Sequence, residues 1–205
     1  LVNGSAIGYY GADAGTGPFG SGLVEDLEPG DDFLAEVVAD WEAEARRAEA
    51  AGIRVAMLRT GVVLSPAGGM LQQVLPLFLA GLGGPVATSG GESHDGSPWL
   101  SWIGADDIAG AFAHAVIDDG VTGPVNAVAP EPVTAREFAT VLGRVLHRPA
   151  VIPVPDAGPR LLLGEEGRVE TVAADQKVVA DRLVASGYDM RDPELEGALR
   201  HVLGR

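Results

Sequence analysis

The chain has 205 residues, and its 14 Lys+Arg against 29 Asp+Glu give a formal net charge of −15. With 46% hydrophobic and 21% charged residues it can build a sizeable core, which excludes an intrinsically disordered protein. The acidic balance disfavours nucleic acid as a partner, and the absence of cysteine excludes disulfides, thiol catalysis and cysteine-bound metals.

Short apolar runs and amphipathic segments alternate along the chain. Asp31 and Asp32 supply an N-cap for the first helix, and Gly52 ends it. The apolar side chains of this helix, Phe33 and Trp41 among them, fall at helical spacing and are predicted to face the core. The segments predicted in chain order are strand 1–8, helix 32–51, strand 53–58, helix 70–79, strand 99–103, helix 106–116, strand 124–128 and helix 134–145. An apolar run at 151–154 then leads into a tail of short helices around 161–163, 177–185 and 193–203.

This alternation predicts an α/β protein. Strands separated by helices of ten or more residues imply crossover connections and therefore a parallel sheet. Sites in such sheets form at the carboxyl ends of the strands. We therefore expect the chemistry in the loops that follow Asn3, Leu58 and Ile103.

A series of short motifs marks the predicted strand ends and helix starts. In chain order they are Gly4–Gly11, Asp40–Glu42, Leu58–Leu64, Gly81–Pro85, Trp102–Ile108, Gly123–Asn126, Pro132–Thr134, Leu146–Ala150, Leu161–Glu165 and Gly187–Tyr188. Their order resembles that of the extended short-chain dehydrogenase/reductases. The closest resemblance is to an atypical branch, the NAD(P)-dependent epimerase/dehydratase-like proteins with a specialised C-terminal domain, often misnamed cell-division inhibitors. It covers nearly the whole chain.

The resemblance implies a Rossmann-like parallel sheet with crossover helices over residues 1–150 and a small, mostly helical C-terminal domain over residues 151–205. Family members begin with a glycine-rich dinucleotide loop between a strand and a helix. The glycines of residues 15–22 have neither element beside them, and the chain opens without Met. We therefore expect that about 100 N-terminal residues, including those that bind the pyrophosphate, are missing.

NADP, or NAD, is the cofactor that the resemblance implies. The nicotinamide lies over the later strand ends of such folds. The residues expected to contact it through backbone or hydroxyl groups are Gly4, Ser5, Thr60, Gly61 and Val62. The loop that would bind the phosphates is not in this chain.

The catalytic pair of the wider superfamily is absent. Its active members use a Tyr-x-x-x-Lys pair on the helix that corresponds to residues 32–51, and the lysine lowers the pKa of the tyrosine. Residues 33–38 contain neither side chain. Ser5 matches the active-site serine or threonine, with a turn serine bonded to its own backbone as the alternative. Tyr10 is the phenol that we assign to catalysis, with a buried, satisfied hydroxyl as the alternative.

Tyr9, Arg59 and Trp102 are the candidate substrate-binding residues. Tyr9 lies just beyond the first strand, and Trp102 opens a family motif. Arg59 suits an anionic ligand or, as a structural alternative, a carboxylate such as that of Asp107. The histidines lack ligand spacing, so no metal site is predicted.

These residues and the resemblance predict an NAD(P)-dependent epimerase- or oxidoreductase-like protein that acts on a nucleotide sugar or a small carbonyl compound. The alternatives are a non-catalytic NADP-binding or scaffold protein and an inactive fragment of a larger protein. The expected partner is a small molecule, with no nucleic acid and no membrane, and a homodimer is left open. Because no signal peptide is visible, the cytoplasm is the expected compartment.

Overall fold

The structure is a computed structural model that describes residues 1–18, 20–84, 93, 96–150 and 174–205. Its strands are β1 (Val2–Ala6), β2 (Ala56–Thr60), β3 (Val62–Leu64), β4 (Trp99–Leu100), β5 (Trp102–Gly104), β6 (Gly123–Ala127) and β7 (Val133–Thr134). Its α-helices are α1 (Phe33–Arg46), α2 (Gly69–Leu79), α3 (Ala105–Ile117), α4 (Ala135–Leu146), α5 (Asp181–Ala185) and α6 (Leu195–Val202). Short 3₁₀ helices at Ile7–Tyr10 and Arg47–Ala51 follow β1 and α1.

A three-stranded parallel sheet, in the order β1-β2-β6, lies at the centre of the fold. α1 connects β1 to β2 and α3 leads into β6, so helices make the crossovers that parallel neighbours need. The predicted α/β class with a parallel sheet and crossover helices is confirmed. The register aligns Ser5 with Arg59 and Arg59 with Asn126, which places three polar residues in one row across the sheet. Smaller pairings join β3 to β5 in parallel and β4 to β7 antiparallel.

α1 begins where its cap predicts, but its buried face differs from the prediction. The Asp32 side chain accepts a hydrogen bond from the backbone N–H of Ala35, 2.9 Å away. Phe33 and Trp41, predicted to face the core, are 79% and 55% exposed. The inward positions are held instead by small side chains and by the carboxylate of Glu42, which is 2% exposed. The prediction was wrong for Phe33 and Trp41, whereas Val38, predicted on the same face, is buried; a polar anchor, and not the largest apolar side chains, orients this helix.

Residues 174–205 pack on the sheet and on α4. Leu183 of α5 is buried with Leu58 of β2, while Leu199 of α6 is buried with Leu142 of α4. Before α5 the chain is extended, and Val178 forms an isolated parallel bridge with Leu23. α5 therefore starts later than the helix predicted around 177–185.

Two predictions for the tail, the apolar run at 151–154 and the helix around 161–163, lie outside the described residues. The division of the chain at residue 150 stays a prediction. None of the helices in the described ranges is long and apolar enough to cross a membrane.

Candidate functional site

A cleft of about 650 Å³ opens at the carboxyl edge of the three-stranded sheet. Its wall draws on the ends of β1 and β2, the start of α1, and the chain around β4. The described wall residues are Ala6, Ile7, Gly8, Ala12, Asp13, Asp32, Phe33, Leu34, Thr60, Gly61, Val62, Trp99, Leu100, Ser101, Ala174 and Gln176. This is the edge at which open α/β sheets bind their ligands.

The residues predicted to contact a cofactor divide into two groups. Thr60, Gly61 and Val62 lie in the cleft wall, and the Thr60 hydroxyl donates to a carbonyl of β2, 3.2 Å away. Gly4 and Ser5 are not wall residues, since β1 reaches the cleft through the positions that follow them. The structure therefore brings three of the five together at the cleft.

Ser5 belongs to a buried network beneath the sheet edge. Its hydroxyl donates to Glu42 Oε1 at 2.7 Å. Arg59 donates to the same carboxylate through Nε at 2.8 Å and through Nη2 at 2.9 Å. Arg59 is 1% exposed, so this bidentate pair is out of contact with solvent. Serine, glutamate and arginine together join β1, α1 and β2.

Tyr10 extends the same network towards β6. Its hydroxyl donates to Asn126 Oδ1 at 2.7 Å and accepts from Arg59 Nη1 at 3.1 Å. The backbone N–H of Asn126 donates to Glu25 Oε1 at 3.0 Å. Burial raises the pKa of Tyr10 to about 12 although Arg59 and Asn126 act to lower it. We call Ser5, Glu42, Arg59, Tyr10, Asn126 and Glu25 the buried network.

The three residues predicted to bind substrate lie outside the cleft wall. The guanidinium of Arg59 stacks over the Tyr9 ring, 3.4 Å from its centroid. Trp102 is 1% exposed and packs in the largest apolar cluster of the described residues. The structure therefore places all three in packing or ion-pair roles.

Asp107 is not the carboxylate partner of Arg59. Arg59 pairs with Glu42, while Asp107 accepts from the backbone N–H groups of Arg191 at 2.7 Å and Asp192 at 3.2 Å. Asp107 therefore fastens the tail of the chain to the start of α3. Asp107 is not the N-cap of α3, which is Gly104 and makes no side-chain hydrogen bond.

Comparisons with known proteins agree on one family. Residues 154–202 match a family described as a domain of unknown function, DUF1731. The chain is 36% identical over 205 residues to an epimerase family protein of Mycobacterium bovis. It superposes on the crystal structure of the human epimerase family protein SDR39U1 (isoform 2) with NADPH, with a TM-score of 0.79 and 32% identity. Over its whole length the chain is similar to epimerase family proteins, the atypical short-chain dehydrogenase/reductases that its motifs resemble.

The chain spans 64% of the length of the mycobacterial relative and 65% of the human structure, while 100% of the chain itself is covered in both. A crystal structure from Corynebacterium glutamicum, of a nucleoside-diphosphate sugar epimerase, matches with a TM-score of 0.72 and 35% identity. That match covers 99% of the chain and 37% of the bacterial protein. The predicted family resemblance is thus confirmed across the whole chain.

The pKa values of Glu25 and Glu42 are shifted in opposite directions. Burial raises the pKa of Glu25 above its ordinary value of 4.5. Burial acts in the same way on Glu42, but hydrogen bonds from Arg59 and Ser5 outweigh it and hold the pKa of Glu42 below that value. The charge on Glu25 is therefore a cost at neutral pH, whereas the charge on Glu42 is stabilising there.

Glu25→Gln is expected to raise the free energy of unfolding at about pH 7, by about 1 kcal/mol or less. Because the pKa of Glu25 is higher in the folded state than in the unfolded state, its protonated form stabilises the fold. That stability is fully present below the unfolded-state pKa and is lost as the pH rises through the folded-state pKa. The advantage of the Glu25→Gln variant should therefore shrink as the pH falls to 4.5. Urea denaturation at both pH values measures it, with the exposed Glu28→Gln as control. Equal destabilisation at both pH values would contradict the assignment.

Sequence reasoning missed several wall residues. Phe33 and Leu34 could have been predicted as wall residues, because they lie in the segment where the superfamily has its catalytic pair. Gln176 carried none, because its partners are distant in sequence. Its side-chain nitrogen donates to the carbonyls of Ile7 at 3.1 Å and Gly11 at 2.7 Å.

Proposed function

We propose that the cleft receives the nicotinamide end of NADP or NAD with a small substrate beside it, in an epimerase- or oxidoreductase-like reaction. The proposal is supported by one observation, that the ends of two neighbouring strands line the same cleft. Ala6–Gly8 after β1 and Thr60–Val62 after β2 line one cleft, in a chain similar to a human protein crystallised with NADPH. When bound, the reduced cofactor would supply a hydride to a carbonyl carbon.

The described wall fits the nicotinamide and its ribose but not the phosphates. It contains backbone, apolar side chains, hydroxyls, one amide and the carboxylates of Asp13 and Asp32, and its described residues include no lysine or arginine. The N-terminus of α1 reaches the wall, yet Asp32 already accepts from its Ala35 N–H and from the N–H of Ala12 at 2.7 Å. A carboxylate thus holds the place that a phosphate would take at a helix N-terminus.

The buried network acts in this proposal as positioning machinery. Ser5 and Tyr10 make their hydrogen bonds to Glu42 and Asn126, so neither hydroxyl is directed into the cleft wall. They fix the ends of β1 and β2 relative to α1, and so set the width of the cleft. A raised pKa of about 12 also keeps Tyr10 protonated at neutral pH.

A second candidate function is cofactor binding without turnover. It is favoured by the engagement of both predicted catalytic hydroxyls in the buried network. Turnover separates the two functions. An epimerase or oxidoreductase oxidises NADPH, or interconverts sugars, with some member of a panel of nucleotide sugars and carbonyl compounds. A binding protein takes up NADPH and consumes none of it.

Thr60→Trp is expected to weaken NADPH binding about tenfold or more, because the larger ring fills the space between the two strand ends. The matched control is Thr122→Trp, at an exposed position outside the wall. For the wild-type 205-residue chain we expect a Kd on the order of a millimolar, since no cation in the described wall meets the phosphates. Titration with NADPH followed by NMR chemical shifts of the protein, which suits millimolar Kd values, measures both. Equal binding by Thr60→Trp would overturn the placement of the cofactor.

A further inference from the structure

The cleft wall is apolar where a substrate would approach α1. Phe33, at the first position of the helix, is 79% exposed and lies in the wall beside Leu34. Trp99 and Leu100 of β4 add a second apolar surface to the same cleft. An exposed aromatic ring at the mouth of a cleft marks a place where an apolar ligand gains from burial.

The charge in the described wall is acidic throughout. Its ionisable side chains are Asp13, which is exposed, and Asp32, whose two oxygens accept backbone hydrogen bonds. Lys177 is not a wall residue, and its ammonium lies 4.8 Å from the centre of the Trp99 ring. A ligand with a pyrophosphate would bring two negative charges to a wall that repels them.

The described wall residues also offer few free hydrogen-bond donors to a polyhydroxylated ligand. The Ser101 hydroxyl accepts from Val178 N–H at 2.8 Å and lies 2.8 Å from the Gln176 carbonyl. The Gln176 amide nitrogen is occupied by two backbone carbonyls. Thr60 keeps a single, longer bond of 3.2 Å, so its hydroxyl is the wall group best able to turn towards a ligand oxygen. Among the described wall residues a sugar ring would therefore find few donors, while the exposed Asp13 carboxylate can accept from its hydroxyls.

We infer that the substrate of this cleft is an uncharged carbonyl compound with an apolar or aromatic ring, and not a nucleoside diphosphate sugar. The inference rests on the proposed function and names its substrate class. The ring packs against Phe33 and Leu34, and the carbonyl oxygen accepts from the Thr60 hydroxyl. Asp13 excludes anionic compounds of the same shape.

The test measures binding of three probes to the 205-residue chain by calorimetry: acetophenone, the anionic phenylglyoxylate and UDP-glucose. Acetophenone is expected to bind about tenfold more tightly than either anion. Phe33→Ser should weaken acetophenone binding about fivefold or more with an unchanged melting temperature, because this side chain is already exposed. The matched control is Trp41→Ser, an exposed aromatic on the same helix outside the wall.

Asp13→Lys separates charge from shape. It should tighten phenylglyoxylate binding relative to acetophenone binding about threefold or more, because the repelling charge becomes attractive. Tighter binding of UDP-glucose than of acetophenone, or equal effects of Phe33→Ser and Trp41→Ser, would overturn the inference.

The outcome also distinguishes this inference from the proposed function. Oxidation of NADPH with a nucleotide sugar would uphold the function and overturn the substrate class. Acetophenone binding that depends on Phe33, without any binding of NADPH, would uphold the ligand class and overturn the function.

Discussion

Glu42→Ala is expected to lower the free energy of unfolding by about 3–5 kcal/mol, because it leaves the guanidinium of Arg59 buried without its partner. Arg59 is 1% exposed, and two of its hydrogen bonds, at 2.8 and 2.9 Å, go to this carboxylate. The Ser5 hydroxyl loses its acceptor in the same variant. Urea denaturation followed by circular dichroism measures the change.

Two further variants test the reason for that loss. Glu44→Ala removes a carboxylate from the same helix whose ion pair with Arg47 is mostly exposed, and should change stability by less than about 0.5 kcal/mol. Glu42→Leu combined with Arg59→Leu removes both charges and should be less destabilising than Glu42→Ala. A loss below about 1 kcal/mol for Glu42→Ala would show that Arg59 finds another partner or water.

Gly61→Ala is expected to destabilise the protein by about 1–3 kcal/mol or more, through overpacking and not through backbone strain. A Cβ at this position would lie 2.7 Å from Val128 Cγ1 and 2.8 Å from the Ser101 carbonyl oxygen. That carbonyl accepts from Val62 N–H at 2.9 Å, so it cannot withdraw without breaking a hydrogen bond between β3 and the residue that joins β4 to β5. Because Gly61 lines the cleft, ligand binding should weaken as well.

Gly68→Ala is the matched control, since an added Cβ meets nothing within 4 Å there. It should change the free energy of unfolding by less than about 0.5 kcal/mol. Thermal and urea denaturation of both variants compare the two sites. Equal stability of Gly61→Ala and the wild-type protein would mean that Val128 and the loop at Ser101 move aside at little cost.

Features set by local sequence were predictable here. The Asp32 cap marks the start of α1, and the alternation of strands and helices specifies a parallel sheet with crossovers. Each of these depends on residues a few positions apart, so the sequence contains the whole signal.

Pairing between distant residues was not predictable in the same way. Several acidic residues could have been the ion-pair partner of Arg59. The sequence could not show that the register of β1 and β2 places Ser5 beside Arg59, or that α1 presents Glu42 to both. The exposed positions of Phe33 and Trp41 follow from the same fact. Helical spacing reports which residues share a face, but a buried ion pair decided which face turns inward.

Gln176 gives the cleft a property that its shape alone does not. Its two hydrogen bonds reach carbonyls 169 and 165 residues earlier in the chain, and the neighbouring Val178 N–H is held by Ser101. Gln176, near the C-terminal end, therefore holds the part of the cleft wall formed by residues near the N-terminal end. Binding of a ligand in the cleft and docking of residues 174–205 are thus linked equilibria. A ligand that binds only the docked state, at a concentration of 100 times its Kd, raises the free energy needed to release that segment by about 2.7 kcal/mol. We therefore expect the Val178 amide to exchange its hydrogen more slowly when a ligand occupies the cleft, although Val178 is not a wall residue.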